Sequence, residues 1–183
     1  MNKATEILYN EHAIIKSVIN YREKLTAHAK SNPGKYKEII TELITFFRNY
    51  ADKFHHYKEE KLLFPLMCEK NDMLKEGIVE EMLDNHQDFR NMVKLIELTV
   101  ESGNYEESSN LLLKYTEMLL DHIAVEDDEL FQIAETLFDE GELEKMYYDF
   151  QDIDRVLGLN IKGDFEKIKE KLELKLNSNQ LSN

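Results

Sequence analysis

Four long stretches of the chain carry apolar residues at the three- and four-residue spacing of an amphipathic helix, and few residues within them break a helix. The whole chain contains only 2 Pro, 6 Gly and no Trp. This shortage of turn residues disfavours an all-β fold with many turns. Turn signals at 31–34 and 102–104 close the first and third stretches. The pattern predicts four long helices at 5–30, 36–70, 73–102 and 105–139, with a kink or interruption at Pro65 in the second.

The remainder of the chain predicts a smaller helical appendage. Residues 142–157 have helical spacing that stops at Gly158, and Asp164 is a suitable N-cap for a last helix carrying Phe165, Ile168 and Leu172. The polar tail at 177–183 is expected to fray. We therefore predict an all-α, up-down-up-down four-helix bundle over residues 1–140, with a C-terminal helical extension, 141–183, packing on the same domain.

Charge and cysteine content restrict the environment and the partners. A formal net charge of −14 should repel nucleic acid and anionic lipid, so neither is expected as a partner. No stretch approaches the roughly 18 apolar residues of a membrane span, and residues 1–16 lack the apolar run of a signal peptide. The single cysteine, Cys68, excludes an internal disulfide framework and is typical of a reducing compartment. We expect a cytoplasmic protein in which Cys68 is a buried or half-buried thiol.

One histidine lies on the apolar stripe of each long helix, and two of the four are followed by a glutamate four residues later. Residues four apart share a helix face, so each such pair can point at one location. These residues are His12, His55 with Glu59, His86, and His122 with Glu126.

The depth of these histidines in the predicted bundle can be compared by counting residues from the turns. His12 lies 19 residues before Ser31, and His55 lies 19 residues after Tyr36. The other two neighbouring pairs, His55 with His86 and His86 with His122, match in their residue counts from the turns to a similar degree. With a rise of about 1.5 Å per residue, antiparallel helices would place successive histidines within about 3 Å of one level. Four imidazoles and two carboxylates would then meet in one layer of the core.

A core layer of this composition favours bound metal. A buried carboxylate is costly unless it is paired or bound to a cation, and two facing glutamates would raise each other's pKa. Two divalent or trivalent cations remove both problems, and imidazole with carboxylate suits iron. The residues favour a two-metal site, with iron first and manganese or zinc second. Considered alone, each histidine is more simply explained as a hydrogen-bonded core residue. Each His–Glu pair, considered alone, is more simply explained as a pair on a solvated helix face.

The second helix leaves two registers open, because His55/Glu59 and His56/Glu60 have the same spacing. His55 shares its stripe with apolar residues, whereas His56 shares its stripe with polar residues typical of a solvated face. We therefore favour His55 and Glu59, and keep His56 as an extra ligand or as a group that orients a ligand. His28 lies near the end of the first helix, roughly 24 Å from the level of His12, and is interpreted as a surface residue.

Four segments of the chain resemble the hemerythrin HHE cation-binding family. They are Asn10-Glu11-His12, the run FHHYKEEKLLFP at 54–65, the run LDNH at 83–86, and Asp121-His122 through Glu126 to Phe131. The resemblance covers about residues 5–140. It implies a four-helix bundle holding two irons, with His12, His55, His86 and His122 as terminal ligands and with Glu59 and Glu126 bridging the irons. The correspondence of 63–64 with 130–131 supports the His55/Glu59 register.

The chain departs from the oxygen-carrying members of that family at two positions. They carry a fifth histidine four residues before the one that matches His86, where this chain has Met82. They also carry an aspartate five residues after the last histidine, which corresponds here to Asp127 rather than Glu126. A missing ligand would leave one iron more open, unless His56 or Glu60 supplies it. This argues against simple reversible oxygen carriage.

The resemblance and the ligand layer together predict a non-haem di-iron protein that binds or reduces a small oxidant: dioxygen, peroxide or nitric oxide. Turnover would require an electron-donor protein, because the chain has no dinucleotide fingerprint and no Cys-x-x-Cys motif. Tyr115 shares the stripe of His122 and is interpreted first as a core aromatic. The alternatives are an oxygen or iron sensor that uses the C-terminal extension, an iron donor for iron–sulfur repair, and a helical interaction protein.

Overall fold

A computed structural model describes residues 2–157, 163–165 and 167–177 of the chain. These residues form helices and connecting turns, and no β-strand occurs among them. The prediction of an all-α protein is therefore confirmed. In this part of the chain, no helix combines the length and apolar character that crossing a bilayer requires.

The first long helix is divided where the sequence pattern predicts a continuous one. It consists of Lys3–Ile19, Arg22–Thr26 and His28–Ser31. The side chain of Asn2 caps the first segment by accepting a hydrogen bond from the backbone N–H of Ala4. The first break occurs where the N–H of Tyr21 bonds to the carbonyl of Val18, three residues back rather than four, which tightens the turn.

The second long helix is continuous over 33–70, but parts of it are wider than an α-helix. Its α-helical segments are Pro33–Phe46 and Phe64–Lys70, and its π-helical segments are Phe47–His56 and Glu59–Leu63. Pro65 does not end the helix. It lies in the first turn of the last segment, directly after the N–H of Phe64 bonds to the carbonyl of Glu59, five residues back. The missing proline N–H thus falls where the hydrogen-bond pattern already changes.

The third and fourth long helices follow the predicted course with shifted ends. A short 3₁₀ turn at Asp72–Leu74 precedes the third helix, Ile78–Glu101, which begins five residues later than predicted. Gly103, at φ 77°, ends it in the left-handed conformation that favours glycine. The fourth helix is continuous over 105–137 and comprises Tyr105–Val125, the π-helical segment Glu126–Leu130, and Phe131–Leu137.

The C-terminal part contains two further described helices, Glu140–Leu157 and Ile168–Asn177. The first contacts the N-terminal segment Lys3–Ile19, and the second contacts the same segment and Pro33–Phe46. Asp164, the predicted N-cap, lies within a short helical stretch at 163–165. The predicted helix end at Gly158 lies outside the described residues. Of the predicted tail at 177–183, Asn177 is the last residue of the helix Ile168–Asn177, and the rest lies outside the described residues.

The apolar core is divided into two clusters, and the predicted histidine level lies between them. The larger cluster includes Ile15, Phe54, Phe89 and Ile123, and the smaller includes Leu8, Leu63, Met82 and Leu130. Along the first and third long helices the smaller cluster comes before the larger one. Along the second and fourth helices the order is reversed. The chain therefore crosses the level between the clusters in alternating directions.

A buried ammonium group connects the C-terminal helix Glu140–Leu157 to this level. Lys58 is 0 % exposed, and its Nζ lies 2.7 Å from a carboxylate oxygen of Glu11 and 2.7 Å from one of Asp154. The same Nζ lies 3.4 Å from the centre of the Phe54 ring. A buried charge is tolerated only with such compensation, so the position of this helix is electrostatically coupled to the first and second long helices.

Replacing Gly103 should test the turn between the third and fourth helices. Gly103→Ala should lower the free energy of unfolding by about 1 kcal/mol, because an L side chain is strained at positive φ. The matched control is Gly34→Ala, inside the helix Pro33–Phe46, which should raise the same free energy by up to about 1 kcal/mol. Urea denaturation measures both changes. Equal signs for the two variants would contradict the assignment of the turn.

Removing the buried ammonium should be far more damaging than removing an exposed one. Lys58→Ala should lower the free energy of unfolding by about 3 kcal/mol or more, because Glu11 and Asp154 then lose the cation between them. The control Lys30→Ala breaks the exposed pair with Glu106 and should leave stability nearly unchanged. Both are measured by urea denaturation of metal-free protein. Equal effects would show that Lys58 is not held in a buried network.

Candidate metal centre

Two groups of buried nitrogen and oxygen donors face each other at the level between the apolar clusters. One group contains His12, His55, Glu59 and Glu126, and the other contains His56, His86 and His122. Within each group, the potential ligand atoms all lie within 4.8 Å of one another. All seven side chains are buried. The structure therefore brings together all six residues singled out from the sequence, and adds His56.

The two glutamates of the first group also reach the second group. Glu126 lies 3.3 Å from Nε2 of His12 in its own group and 3.1 Å from Nε2 of His122 in the other. Glu59 lies 3.4 Å from Nε2 of His55 and 3.6 Å from Nε2 of His86. Each carboxylate thus reaches one imidazole on each side, as a carboxylate shared between two cations would.

Wide helical turns place these carboxylates. The two shorter π-helical segments begin at Glu59 and at Glu126, and each closes with a hydrogen bond from the N–H five residues later to the glutamate's own carbonyl. Such widened turns occur often at functional sites. The longer one, Phe47–His56, ends at the two adjacent histidines.

The same widening explains why His55 and His56 are both buried, at 0 % and 2 % exposure. Successive residues of an α-helix point about 100° apart, so only one member of a His-His pair would face the core. In an i→i+5 turn each residue advances through a smaller angle, and both rings face inward. The solvated face expected for His56 from its polar companions is wrong. In the sequence, the adjacent doublet itself was the signal available for finding His56.

The donor atoms at the centre lack hydrogen-bond partners of their own. Nε2 of His12, Nε2 of His55 and both carboxylate oxygens of Glu59 and Glu126 are buried without a hydrogen bond among the described residues. Buried polar atoms are nearly always satisfied, so a cluster of unsatisfied ones needs an additional partner. Cations between the two groups would satisfy them together. Imidazole nitrogen with carboxylate oxygen is a donor set that suits iron, so the residues present fit the metal.

Behind each histidine of the first group lies a carboxylate with a cation beside it. Nδ1 of His12 lies 2.7 Å from Asp127, which pairs with Lys16 at 2.8 Å. Nδ1 of His55 lies 2.9 Å from Glu11, which pairs with Lys58. These contacts fix the ring orientations and leave Nε2 directed at the centre. Asp127 therefore supports His12, while Glu126 is the residue that points inward.

The second group repeats this arrangement with one shared cation. Nδ1 of His86 lies 2.9 Å from Glu60, and Nδ1 of His56 lies 3.7 Å from Asp52. Arg90 contacts both carboxylates, at 2.5 Å from Glu60 and 2.7 Å from Asp52. Glu60, the alternative to Glu59 in the sequence, thus lies outside the centre and holds His86. The supporting roles of Asp52, Glu60 and Arg90 were not predicted from the sequence.

The electrostatics of the chain by itself favour cation binding at the centre. Burial and the charges of Glu126 and Glu11 raise the pKa of Glu59 well above its usual range. Burial acts in the same direction on Glu126, but the neighbouring charges of His122 and His12 hold its pKa well below that range. Burial, followed by the charge of His86, lowers the pKa of His56 to about 3. The His56 ring is therefore neutral at neutral pH, as a metal ligand must be.

The remaining candidates from the sequence lie away from the two groups. His28 belongs to neither and lies in the short segment His28–Ser31. Met82 is fully buried in the smaller apolar cluster. Tyr115 is buried in the larger cluster, with its ring 4.8 Å from that of Phe47 and 5.8 Å from that of Phe89, as expected for a core aromatic. Cys68 is half-buried and unpaired, as predicted.

Of three comparisons with known proteins, the one with protein families found a match, and this match agrees with the geometry of the centre. A search of curated proteins and a search of solved structures found no match to the chain. A scan of protein families matched residues 3–134 to the family described as the hemerythrin HHE cation binding domain. The matched residues make up more than half of the chain and contain all seven donors of the two facing groups. The chain therefore belongs to the hemerythrin HHE cation-binding family.

Proposed function

We propose that this chain is a non-haem di-iron protein that binds or reduces a small oxidant: dioxygen, peroxide or nitric oxide. The observation that carries the proposal is the placement of Glu59 and Glu126 between two groups of imidazoles, with all four of their oxygens buried and unsatisfied. Two adjacent cations sharing these carboxylates would satisfy the whole layer. The family match supports cation binding.

In this proposal the irons have unequal sets of protein ligands. His12 and His55 would hold one iron, His56, His86 and His122 would hold the other, and Glu59 and Glu126 would be shared. The ring of His56 stacks on that of His86 with centroids 3.7 Å apart. His56 would thus supply the imidazole that is missing at Met82. The iron with two histidines is the one left with more positions for an external ligand.

The chain's own residues would position and isolate that chemistry. Two irons bound here would each supply one electron to a small oxidant. The two apolar clusters on either side of the centre keep bulk water away from it. Asp127, Glu11 and Glu60 hold three of the rings through Nδ1, which fixes the direction of each Nε2. Any repeated reduction would draw electrons from an electron-donor protein.

The proposal includes the up-down-up-down bundle and the division of the chain predicted from the sequence. The alternating order of the two apolar clusters along successive long helices supports antiparallel neighbours. Contacts of Glu140–Leu157 with Lys3–Ile19 support a C-terminal extension that packs on the bundle. In this arrangement, residues 1–140 supply every proposed ligand and the extension supplies none.

A second candidate function is a sensor in which the metal state alters the C-terminal extension. The contacts that favour it run from the proposed ligand His55 to Glu11, from Glu11 to Lys58, and from Lys58 to Asp154 in the extension. A change in the charge at the centre would act on the same carboxylate that holds Lys58. The extension is thus the part of the chain through which a sensor would signal.

Metal stoichiometry tests the proposed ligands. Wild-type protein loaded with iron(II) without oxygen should bind about two irons per chain, measured by metal analysis after gel filtration. Glu59→Gln should bind no more than one, because a shared ligand is lost, and His56→Ala should lose the iron of the three-histidine group. Glu60→Gln should retain two irons with about 10- to 100-fold weaker affinity.

His28→Ala is the matched control for the loss of an imidazole and should still bind two irons. Protein that takes up no iron would contradict the proposed function. Full occupancy in His56→Ala would show instead that His56 is only a neighbouring ring.

Mixing experiments test the reaction. Stopped-flow mixing of the reduced, iron-loaded protein with dioxygen, peroxide or nitric oxide should change the visible spectrum, and the first two should withdraw about two electrons per chain. Glu59→Gln should react at least tenfold more slowly, whereas His28→Ala should react like wild type. Repeated consumption with an added reductant supports an enzyme, and a stable adduct without turnover supports the sensor. No reaction with any of the three oxidants would refute both.

A further inference from the structure

A line of buried contacts joins the proposed ligand His55 to the C-terminal helix Glu140–Leu157. Nδ1 of His55 lies 2.9 Å from one carboxylate oxygen of Glu11. The other oxygen of Glu11 lies 2.7 Å from Nζ of Lys58, and the same Nζ lies 2.7 Å from Oδ1 of Asp154. All four side chains are buried. An imidazole that faces the metal layer is therefore connected to the extension through buried charged groups.

The cation in this line differs from the cations behind the other rings in its contact with water. The side chain of Lys16 is 42 % exposed, and that of Arg90 is 33 % exposed. The side chain of Lys58 is fully buried. Water and salt screen charges near the surface, whereas charges in the interior act on each other more strongly. A change in the charge next to Lys58 should therefore be transmitted more completely to the ring it supports, His55.

Asp154 takes a share of the positive charge that Lys58 would otherwise give to Glu11 alone. Nε2 of His55 has no hydrogen-bond partner among the described residues, which leaves Nδ1 to donate the hydrogen bond to Glu11. A carboxylate that accepts this bond strongly fixes the ring and makes Nε2 a better donor to a cation. Without the Asp154 carboxylate, the ammonium would pair with Glu11 alone and weaken the hydrogen bond from His55.

From these contacts we propose that Asp154 is a positioning residue for His55, through which the C-terminal extension sets the affinity of the metal position held by His12 and His55. The line of contacts ends at this two-histidine position, so the three-histidine position should depend far less on the extension. The inference rests on the proposed di-iron function. It adds the residue through which the extension acts and the metal position that it affects, in an enzyme as much as in a sensor.

The iron affinity of each position, measured separately, tests the proposal. His56→Ala should retain only the position of His12 and His55, and His12→Ala should retain only the three-histidine position. In the His56→Ala background, Asp154→Asn should weaken iron(II) binding about tenfold, measured without oxygen by competition with a chelator. In the His12→Ala background, the same substitution should leave the affinity nearly unchanged. Equal weakening in both backgrounds would overturn the assignment to His55.

Two further substitutions in the His56→Ala background separate charge from packing. Asp152→Asn removes an equal charge from the same helix, where Asp152 pairs with the exposed Arg155, and it should leave the iron affinity nearly unchanged. Asp154→Glu keeps a carboxylate beside Lys58 and should restore most of the affinity. Binding as weak in Asp154→Glu as in Asp154→Asn would contradict the proposed role of the charge. Thermal melting of the metal-free variants verifies that each is folded.

The His55 ring in metal-free protein provides a readout that does not depend on iron. Proton–nitrogen NMR of the imidazole groups at constant pH reports the strength of the hydrogen bond that Nδ1 donates. In Asp154→Asn the Nδ1 proton signal of His55 should move upfield, because Glu11 accepts the bond less strongly. Asp152→Asn should leave the signal in place.

The outcomes distinguish this inference from the proposed function. An unchanged His55 signal in Asp154→Asn, or an unchanged iron affinity in the His56→Ala background, would refute the positioning role while the di-iron function stands. Wild-type protein that takes up no iron would refute both proposals, because there would then be no metal position whose affinity the extension could set.

Discussion

Two carboxylates that face each other in a buried layer of the core are the constraint around which the neighbouring side chains are arranged. Glu59 and Glu126 are fully buried, and their oxygens have no hydrogen-bond partner among the described residues. Such a pair is unfavourable unless positive charge is placed between or around it. The chain surrounds the pair with five imidazoles carried on widened helical turns, a donor set that can share cations with the carboxylates. The core can then separate into one apolar cluster on each side of the layer.

Charged side chains surround the imidazoles on the side that faces away from the centre. Four of the five imidazoles have an acidic side chain at Nδ1, and each of these acids contacts a lysine or an arginine. Among the described residues, Nδ1 of His122 has no hydrogen-bond partner, and Nδ1 of His56 lies 3.7 Å from Asp52, which is an ion-pair distance rather than a hydrogen bond. From the centre outward, the imidazoles are followed by carboxylates, and the carboxylates by lysine or arginine side chains. These contacts hold the rings in place and offset the acidity of the chain near the site. The layer is thus stabilised by a network that reaches the surface.

The sequence was informative where a regular helix determines the outcome. Apolar periodicity located the four long helices, and counting residues from the turns placed His12, His55, His86 and His122 near one level, where the structure has them. The sequence pattern failed to predict the direction of side chains where the helix is not regular. The widening at Phe47–His56 turns His56 inward, and no α-helical pattern can show this. Contacts such as Asp52 with His56 and Arg90 with Glu60 also depend on that local geometry.

The contact between Lys58 and Asp154 has a consequence for where the charge network of the histidine layer ends. The family match stops at residue 134, yet the ammonium buried beside the histidine layer is shared with a carboxylate twenty residues further along. A chain shortened at the family boundary would retain every candidate ligand but lose half of the counter-charge around that lysine. In this protein, the charge network around the histidine layer therefore extends beyond the span by which its family is recognised.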